Sequence, residues 1–258
     1  MQKPLILITN DDGIRAKGLR ALVEIAKPLG RVLVVAPEAE RSGQSHAITT
    51  QTPLRLRSVQ DYDSSANVTA YVCNGTPVDC VKLGMTHLVS DVPDVVLSGV
   101  NHGSNSSISV IYSGTIAAAQ EASLYGIPSM GLSLLDYSPN ADFSPVQAIG
   151  SDLIKKMLTL GVSKGICLNV NFPAIPVEEI RGVKFCRQAN GTWDEDYNLR
   201  HDPYGGEYFW LSGSLINNEP LATDTDEWAL ANGYVSVTPI QPDMTCYAEL
   251  ERLKAKWQ

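Results

Sequence analysis

Basic residues are scarce. Twenty Lys and Arg face 28 Asp and Glu, the formal net charge is −8, and no basic block rises above that background. A field of that sign repels polyanions, which argues against long nucleic acid or an acidic membrane surface as a partner. No apolar run approaches the length of a membrane span. The cysteines Cys73, Cys80, Cys167, Cys186 and Cys246 are odd in number and contain no CxxC pair. Neither a disulfide framework nor a structural zinc site is expected, and all are read as reduced core residues. His46, His87 and His201 stand isolated, with no HxH or HExxH pattern, so zinc chemistry is not indicated. No GxGxxG follows the first predicted strand and no GxxxxGK[ST] occurs, which weakens dinucleotide and ATP-hydrolysis readings. Cys246 and Arg252 have the Cys-x5-Arg spacing of cysteine phosphatases, but the intervening Tyr-Ala-Glu-Leu-Glu has no glycine and two acids that would repel a phosphate.

What is present is a repeating strand and helix grammar over 258 residues, enough chain for one large domain or one domain with an extension. Residues 5–9 are an apolar run too short for a helix, as expected of a strand buried on both faces. Leu19, Leu22, Val23, Ala26 and Leu29 then fall at helical spacing, with Gly30 at the expected C-terminal cap, before a second strand over 31–36. Further strands are expected near 68–73, 94–100, 127–135 and 165–173. Between them lie a helix with Thr76 as N-cap and Pro77 in its first turn, a helix over 113–126, and one opened by Ser144-Pro145-x-Gln147. On that last helix Val146, Ile149, Leu153, Met157 and Leu160 share a face.

This order predicts an α/β fold: a doubly wound, mostly parallel sheet in a Rossmann-like three-layer core spanning 1–185. Residues 186–258 read as a C-terminal β-hairpin, strand and helix extension, an oligomerisation arm and not an independent domain. Within it, 207–213 is one hairpin arm, 233–240 alternates as a half-buried strand, and 246–257 is a charged helix. The first strand begins at residue 5, leaving no room for a signal peptide, so cytoplasm is the expected compartment.

The chemistry is expected at "NDDG", residues 10–13. Asp11 and Asp12 can share a ligand only if the backbone has left the strand, because adjacent strand residues face opposite ways. Gly13 permits that turn. Neighbouring carboxylates repel unless a proton or a hard divalent cation lies between them. The competing reading is an Asx-rich helix cap. Position favours the cation, because ligands of open α/β sheets bind at strand C-terminal ends. Three more loops fall at equivalent places: 37–46 offers Ser42, 98–107 offers Asn101 beside two glycines, and 112–115 places Ser113, Gly114 and Thr115 at a helix N-terminus suited to an anion.

Together the segments "TNDDG" (9–13), "VVAPEAERSGQSHAIT" (34–49), "NGTPVDCV" (74–81), "PDVVLSGVNHGSN" (93–105), "VIYSGTIAAAQEA" (110–122) and "GIPSMGLSL" (126–134) resemble the SurE family of stationary-phase survival proteins, with 223–245 extending the match. The resemblance implies a metal-dependent nucleotidase hydrolysing nucleoside 5′- and 3′-monophosphates with a metal-activated water. One Mg²⁺ or Mn²⁺ per subunit would be held by Asp11, Asp12, Ser42 and Asn101. Catalytic roles fall on Asp11, Asp12 and Asn10, and phosphate contacts on Asn10, Asn101, Gly103, Ser113, Gly114 and Thr115. It further implies a homodimer or homotetramer, and residues 186–221 carry no diagnostic match. His102 is expected to be a solvent-facing loop imidazole. Two other classes stay open: a nucleotide-binding module without turnover, and a metal-dependent sugar transferase using Asp194-x-Asp196 or Asp224-x-Asp226, pairs that otherwise read as solvated turns.

Overall fold

The structure is a computed structural model describing residues 3–257. Its strands are β1 (Leu5–Thr9), β2 (Arg31–Pro37), β3 (Leu56–Ser58), β4 (Val68–Cys73), β5 (Val95–His102), β6 (Ser129–Leu134), β7 (Cys167–Phe172), β8 (Val183–Phe185), β9 (Gly191–His201), β10 (Glu207–Asn217) and β11 (Val235–Ile240). The helices are α1 (Lys17–Ala26), α2 (Pro77–Leu83), α3 (Gly114–Leu124), α4 (Ser144–Leu160), α5 (Asp226–Ala231) and α6 (Tyr247–Trp257). A nine-stranded sheet runs β3-β4-β2-β1-β5-β6-β7-β11-β8, and β9 and β10 form a separate two-stranded ribbon. Neighbours from β4 through β7 are parallel, while β3 on β4 and β11 on β7 are antiparallel. The doubly wound α/β expectation is met.

Period-two alternation builds the two cores. Ile6, Ile8, Val32 and Val34 pack with Leu19, Leu22 and Ile154 of α1 and α4. Leu5, Leu7, Leu33 and Val35 face the other way, onto Val81 of α2 and Ala118 and Ala122 of α3. The chain passes from β1 outward to β2 and β4, then returns to β5 on the other side of β1. The crevice between the C-terminal ends of β1 and β5 is therefore the switch point at which such sheets take ligands. There β5 shifts register between Ser98 and Asn101, and its Gly99–Val100 peptide is cis.

Capping signals hold where their partners are local. Thr76 makes a full capping box with Asp79, and Ser113 caps α3 through Ile116 N–H. Two expected caps fail. α1 ends at Ala26, and Gly30 instead opens β2, where a Cβ would lie 2.3 Å from the Pro4 carbonyl oxygen. Ser144 is the first residue of α4, not its cap; its N–H and hydroxyl both donate to Asp142. Leu160, expected on the apolar face of α4, is exposed.

The C-terminal third also departs from a simple appendage. After the ribbon, the chain re-enters the main sheet, with β11 lying between β7 and β8 and buried over Val235–Thr238. The ribbon is an excursion from the core, and its first strand β9 escaped prediction because "TWDEDYNLRH" carries polar residues on both faces. Cys246 is exposed, whereas the other cysteines are buried. Among the described residues no helix is long and apolar enough to cross a membrane.

Candidate active site

The backbone leaves β1 after Thr9 and folds back on itself. Buried Asn10 donates its amide to the Gly13 carbonyl at 3.1 Å, Gly13 takes φ +95°, and Ile14 N–H reaches the Pro37 carbonyl at 2.8 Å. Arg41 N–H donates to the Asp11 carbonyl at 2.7 Å, so the loop after β2 is bonded to the turn after β1.

Asp11 is 3% exposed and lies against the first turn of α3. Its carboxylate accepts the Thr115 hydroxyl and backbone N–H. Gly114 permits the approach: a Cβ there would lie 3.1 Å from Asp11 Cβ and 3.2 Å from Oδ2. Helix N-termini favour anions, and this one already carries a carboxylate of the protein itself. Burial nevertheless pushes the Asp11 carboxyl above its ordinary range, with the Thr115 bonds opposing. Asp12 is pushed up to about 7, first by burial and then by Asp11, partly offset by the His102 backbone. Its Oδ2 is buried without a hydrogen-bond partner. A buried carboxylate oxygen left without a partner is costly, and a proton or a cation relieves that cost.

Both aspartates open into a cavity of about 690 Å³ that also receives Ser42, Asn101 and Ser113. Ser42 is exposed and donates to Glu40 at 2.9 Å. Asn101 commits its amide nitrogen to the Gly103 carbonyl at 2.8 Å, which leaves the amide oxygen as its free donor of electrons. Ser113 Oγ accepts Ile116 N–H at 3.1 Å and keeps its own proton to donate. The sequence-expected residues Asn10, Gly103, Gly114 and Thr115 do not line the cavity; they support it. Asn10 shapes the turn, Thr115 is spent on Asp11, and Gly103 N–H is spent on the Leu134 carbonyl at 2.8 Å. The Tyr137 ring covers Gly103, since a Cβ there would lie 2.2 Å from Tyr137 Cε1. Direct phosphate contact by Gly103 N–H or the Thr115 hydroxyl is therefore not what this geometry offers.

His102 is half-buried, not a free loop imidazole. It lines the cavity with its ring edge-on to Phe143 at 5.2 Å. His46, isolated along the sequence, has a partner in space: its Nε2 lies 2.9 Å from Glu121 Oε2, tying the Ser42 loop to α3. Residues that sequence reading did not single out include Glu40, Tyr112, Tyr137, Trp193 and Glu195, all on the cavity wall. Glu40 had a signal, an acid two positions before Ser42 in the same turn; Trp193 and Glu195 come from the distant ribbon and had none.

Below the cavity, polar side chains replace missing ladder bonds. Asn171 Oδ1 accepts Asn105 N–H at 2.8 Å, and Asn169 donates to the Asn105 carbonyl at 2.8 Å. Fully buried Asp226 accepts Ser107 N–H at 2.9 Å through one oxygen and Ala189 N–H at 2.9 Å through the other. Asp226 is thus a brace between the active-site loop and the root of the ribbon, not part of a solvated turn. Asp224 is exposed and pairs with Arg187, while Asp194 and Asp196 lie on the ribbon.

The family model described as survival protein SurE matches residues 6–195. The chain belongs to the SurE family. Among curated relatives, "5'-nucleotidase SurE" of Cytophaga hutchinsonii is 51% identical over 259 aligned positions, covering 100% of this chain and 98% of that protein. The protein of the same name from Flavobacterium psychrophilum is 48% identical, covering 98% and 97%. The crystal structure of the SurE protein from Aquifex aeolicus superposes with a TM-score of 0.82 at 38% identity, covering 99% of this chain and 100% of that one. In SurE terms, the segment from the turn after β1 to the start of the ribbon lies inside the family match.

The donor set suits a hard divalent cation. Among the described residues no three His, Cys, Asp or Glu come together as a metal cluster. Two carboxylates, a hydroxyl and an amide line one cavity, and one carboxylate oxygen is buried without a partner.

Proposed function

We propose that the chain is a divalent-cation-dependent phosphomonoesterase that releases phosphate from nucleoside 5′- and 3′-monophosphates. The observation that carries the reading is the unpartnered, buried Oδ2 of Asp12 beside Asp11, at the switch point of the sheet. The relatives' names support it, since they are called 5′-nucleotidases.

Asp11, Asp12, Ser42 and Asn101 would hold one Mg²⁺ or Mn²⁺. That ion, when bound, supplies Lewis-acid charge neutralisation of the phosphate and a more acidic water. The protein's own residues do the rest. Thr115 fixes the Asp11 carboxylate against the first turn of α3 through its hydroxyl and its backbone N–H. Asn10 holds the turn that brings Asp11 and Asp12 to the same cavity. The Ser113 hydroxyl, at the start of α3, donates to a phosphate oxygen. Asp12 gives up the proton held near neutral pH as the local charge is compensated. Under this reading the partners are nucleoside monophosphates and further copies of the chain, as a homodimer or homotetramer.

The test is phosphate release from AMP, GMP and 3′-AMP with Mn²⁺ or Mg²⁺, then with chelator. Metal-dependent release that Asp12→Asn lowers by about 100-fold or more supports the proposal. Binding without release would make the chain a nucleotide-binding module, and inertness to monophosphates with turnover of a nucleotide sugar would make it a transferase.

A further inference from the structure

The β9–β10 ribbon is two-faced. Its register pairs Trp193 with Leu215, Glu195 with Gly213 and Tyr197 with Leu211, which puts these six side-chain positions on one face. The opposite face carries Asp194, Asp196 and Asn198 with Ser214 and Trp210. At the ribbon's root, Trp193, Glu195, Leu211 and Gly213 form a wall of the same cavity that holds Asp11 and Asp12. Gly213, at φ +144°, is held close against the partner strand, where a Cβ would lie 2.2 Å from the Asp194 carbonyl oxygen, so the wall is bare of a side chain beside Trp193. On the sheet side the cavity is walled by Tyr112 and Tyr137.

The cavity therefore has two chemically distinct ends. One is a cluster of oxygens around two aspartates. The other is aromatic and apolar, with the carboxylate of Glu195 as an acceptor. A second anionic group there would meet Glu195, whereas a flat, neutral ring bearing N–H or O–H donors would be stacked and hydrogen-bonded.

We infer that the Trp193 and Leu211 face of the ribbon is the subsite for the base of the substrate, which makes the ribbon a determinant of leaving-group specificity; the inference rests on the proposed nucleotidase reading. Trp193 and Leu211 are 37% and 61% exposed, so their apolar area is available to a ring entering the cavity.

The experiment compares AMP with glycerol 2-phosphate, which offers the same ester chemistry without a base, in wild type, Trp193→Ala, Trp193→Phe, Leu211→Ala and, as a control on the opposite face, Trp210→Ala. The readout is the ratio of kcat/KM for AMP to kcat/KM for glycerol 2-phosphate, with thermal melts to verify folding and light scattering to give molar mass. Expected is a fall in the ratio of about 10-fold or more in Trp193→Ala through KM for AMP, a smaller fall in Leu211→Ala, recovery in Trp193→Phe, and a wild-type ratio in Trp210→Ala. An unchanged ratio in Trp193→Ala and Leu211→Ala overturns the subsite alone. A parallel loss on both substrates with a lower molar mass also overturns it, by assigning the face to a second copy of the chain. A wild-type protein that leaves AMP intact overturns the function and the subsite with it.

Discussion

The turn at residues 10–14 and the ribbon at 191–217 meet at one cavity, but they are built on opposite principles. The turn is buried, and its atoms are fixed from three sides: Asn10 to Gly13, Arg41 to the Asp11 carbonyl, and Thr115 to the Asp11 carboxylate. The ribbon is exposed along nearly its whole length and touches the core mainly at its root, where Gly191 lies against Ser107 and Asp226 grips Ala189. Charge chemistry demands placement within tenths of an ångström, so it sits on the over-determined side. Contact with a flat apolar group tolerates looser placement, and the ribbon can provide it.

Substitutions can break this contrast at either end. The largest effect is expected at Asp12→Asn and Asp11→Asn, each losing about 100-fold or more in phosphate release while circular dichroism remains that of the folded chain. Next comes Gly114→Ala. Its methyl would press on Asp11 at 3.1–3.2 Å, and a displaced ligand set should weaken Mn²⁺ binding by about 10-fold, measured by titration calorimetry.

The third prediction concerns pH. In metal-free protein the Asp12 carboxyl is raised from 3.8 to about 7 in the folded state. The folded chain then holds a proton that the unfolded chain has lost, so the Asp12 contribution to stability is full below the ordinary value of 3.8 and is lost as pH rises through about 7. Thermal melts in chelator should show that fall, and saturating Mn²⁺ or Asp12→Asn should flatten it. A chelated protein whose melting temperature rises between pH 4 and 7 would contradict the assignment of Asp12 as a desolvated acid.

A fourth, smaller effect is expected at Asp226→Ala. Losing the partner of two buried N–H groups should cost about 1–3 kcal/mol, or several degrees in Tm for a chain of this size. Smallest of all is Trp210→Ser on the outer face of the ribbon, expected within about 0.5 kcal/mol of wild type by chemical denaturation. A large destabilisation there would mean that the ribbon's outer face is packed and the contrast drawn above is false.

How far these features could be read in advance followed the distance between partners. The β1–α1–β2 unit, the Thr76 capping box and the Ser113 cap depend on neighbours within a few positions, and the sequence displays them. Asp11, Asp12, Ser42, Asn101 and Ser113 were legible as cavity residues because each follows a parallel strand, or opens a helix, at the same end of the sheet. The division of labour among them was not. That Thr115 binds Asp11 involves a partner 104 positions away, and nothing local distinguishes this from a threonine awaiting a phosphate. Asp226 looked like a surface acid because its partners, Ala189 and Ser107, lie 37 and 119 positions away. β9 lacked the alternation that marks a half-buried strand, since its pairing with β10 leaves most of both faces in solvent.

The braces on Asn105 and Ser107 have a consequence for motion. Their N–H groups lie in an irregular segment, yet Asn171 and Asp226 seal them as a sheet ladder would. Amide protons there should exchange with deuterated solvent only when the whole core opens, so the segment behaves kinetically as part of the frame although its backbone is that of a loop.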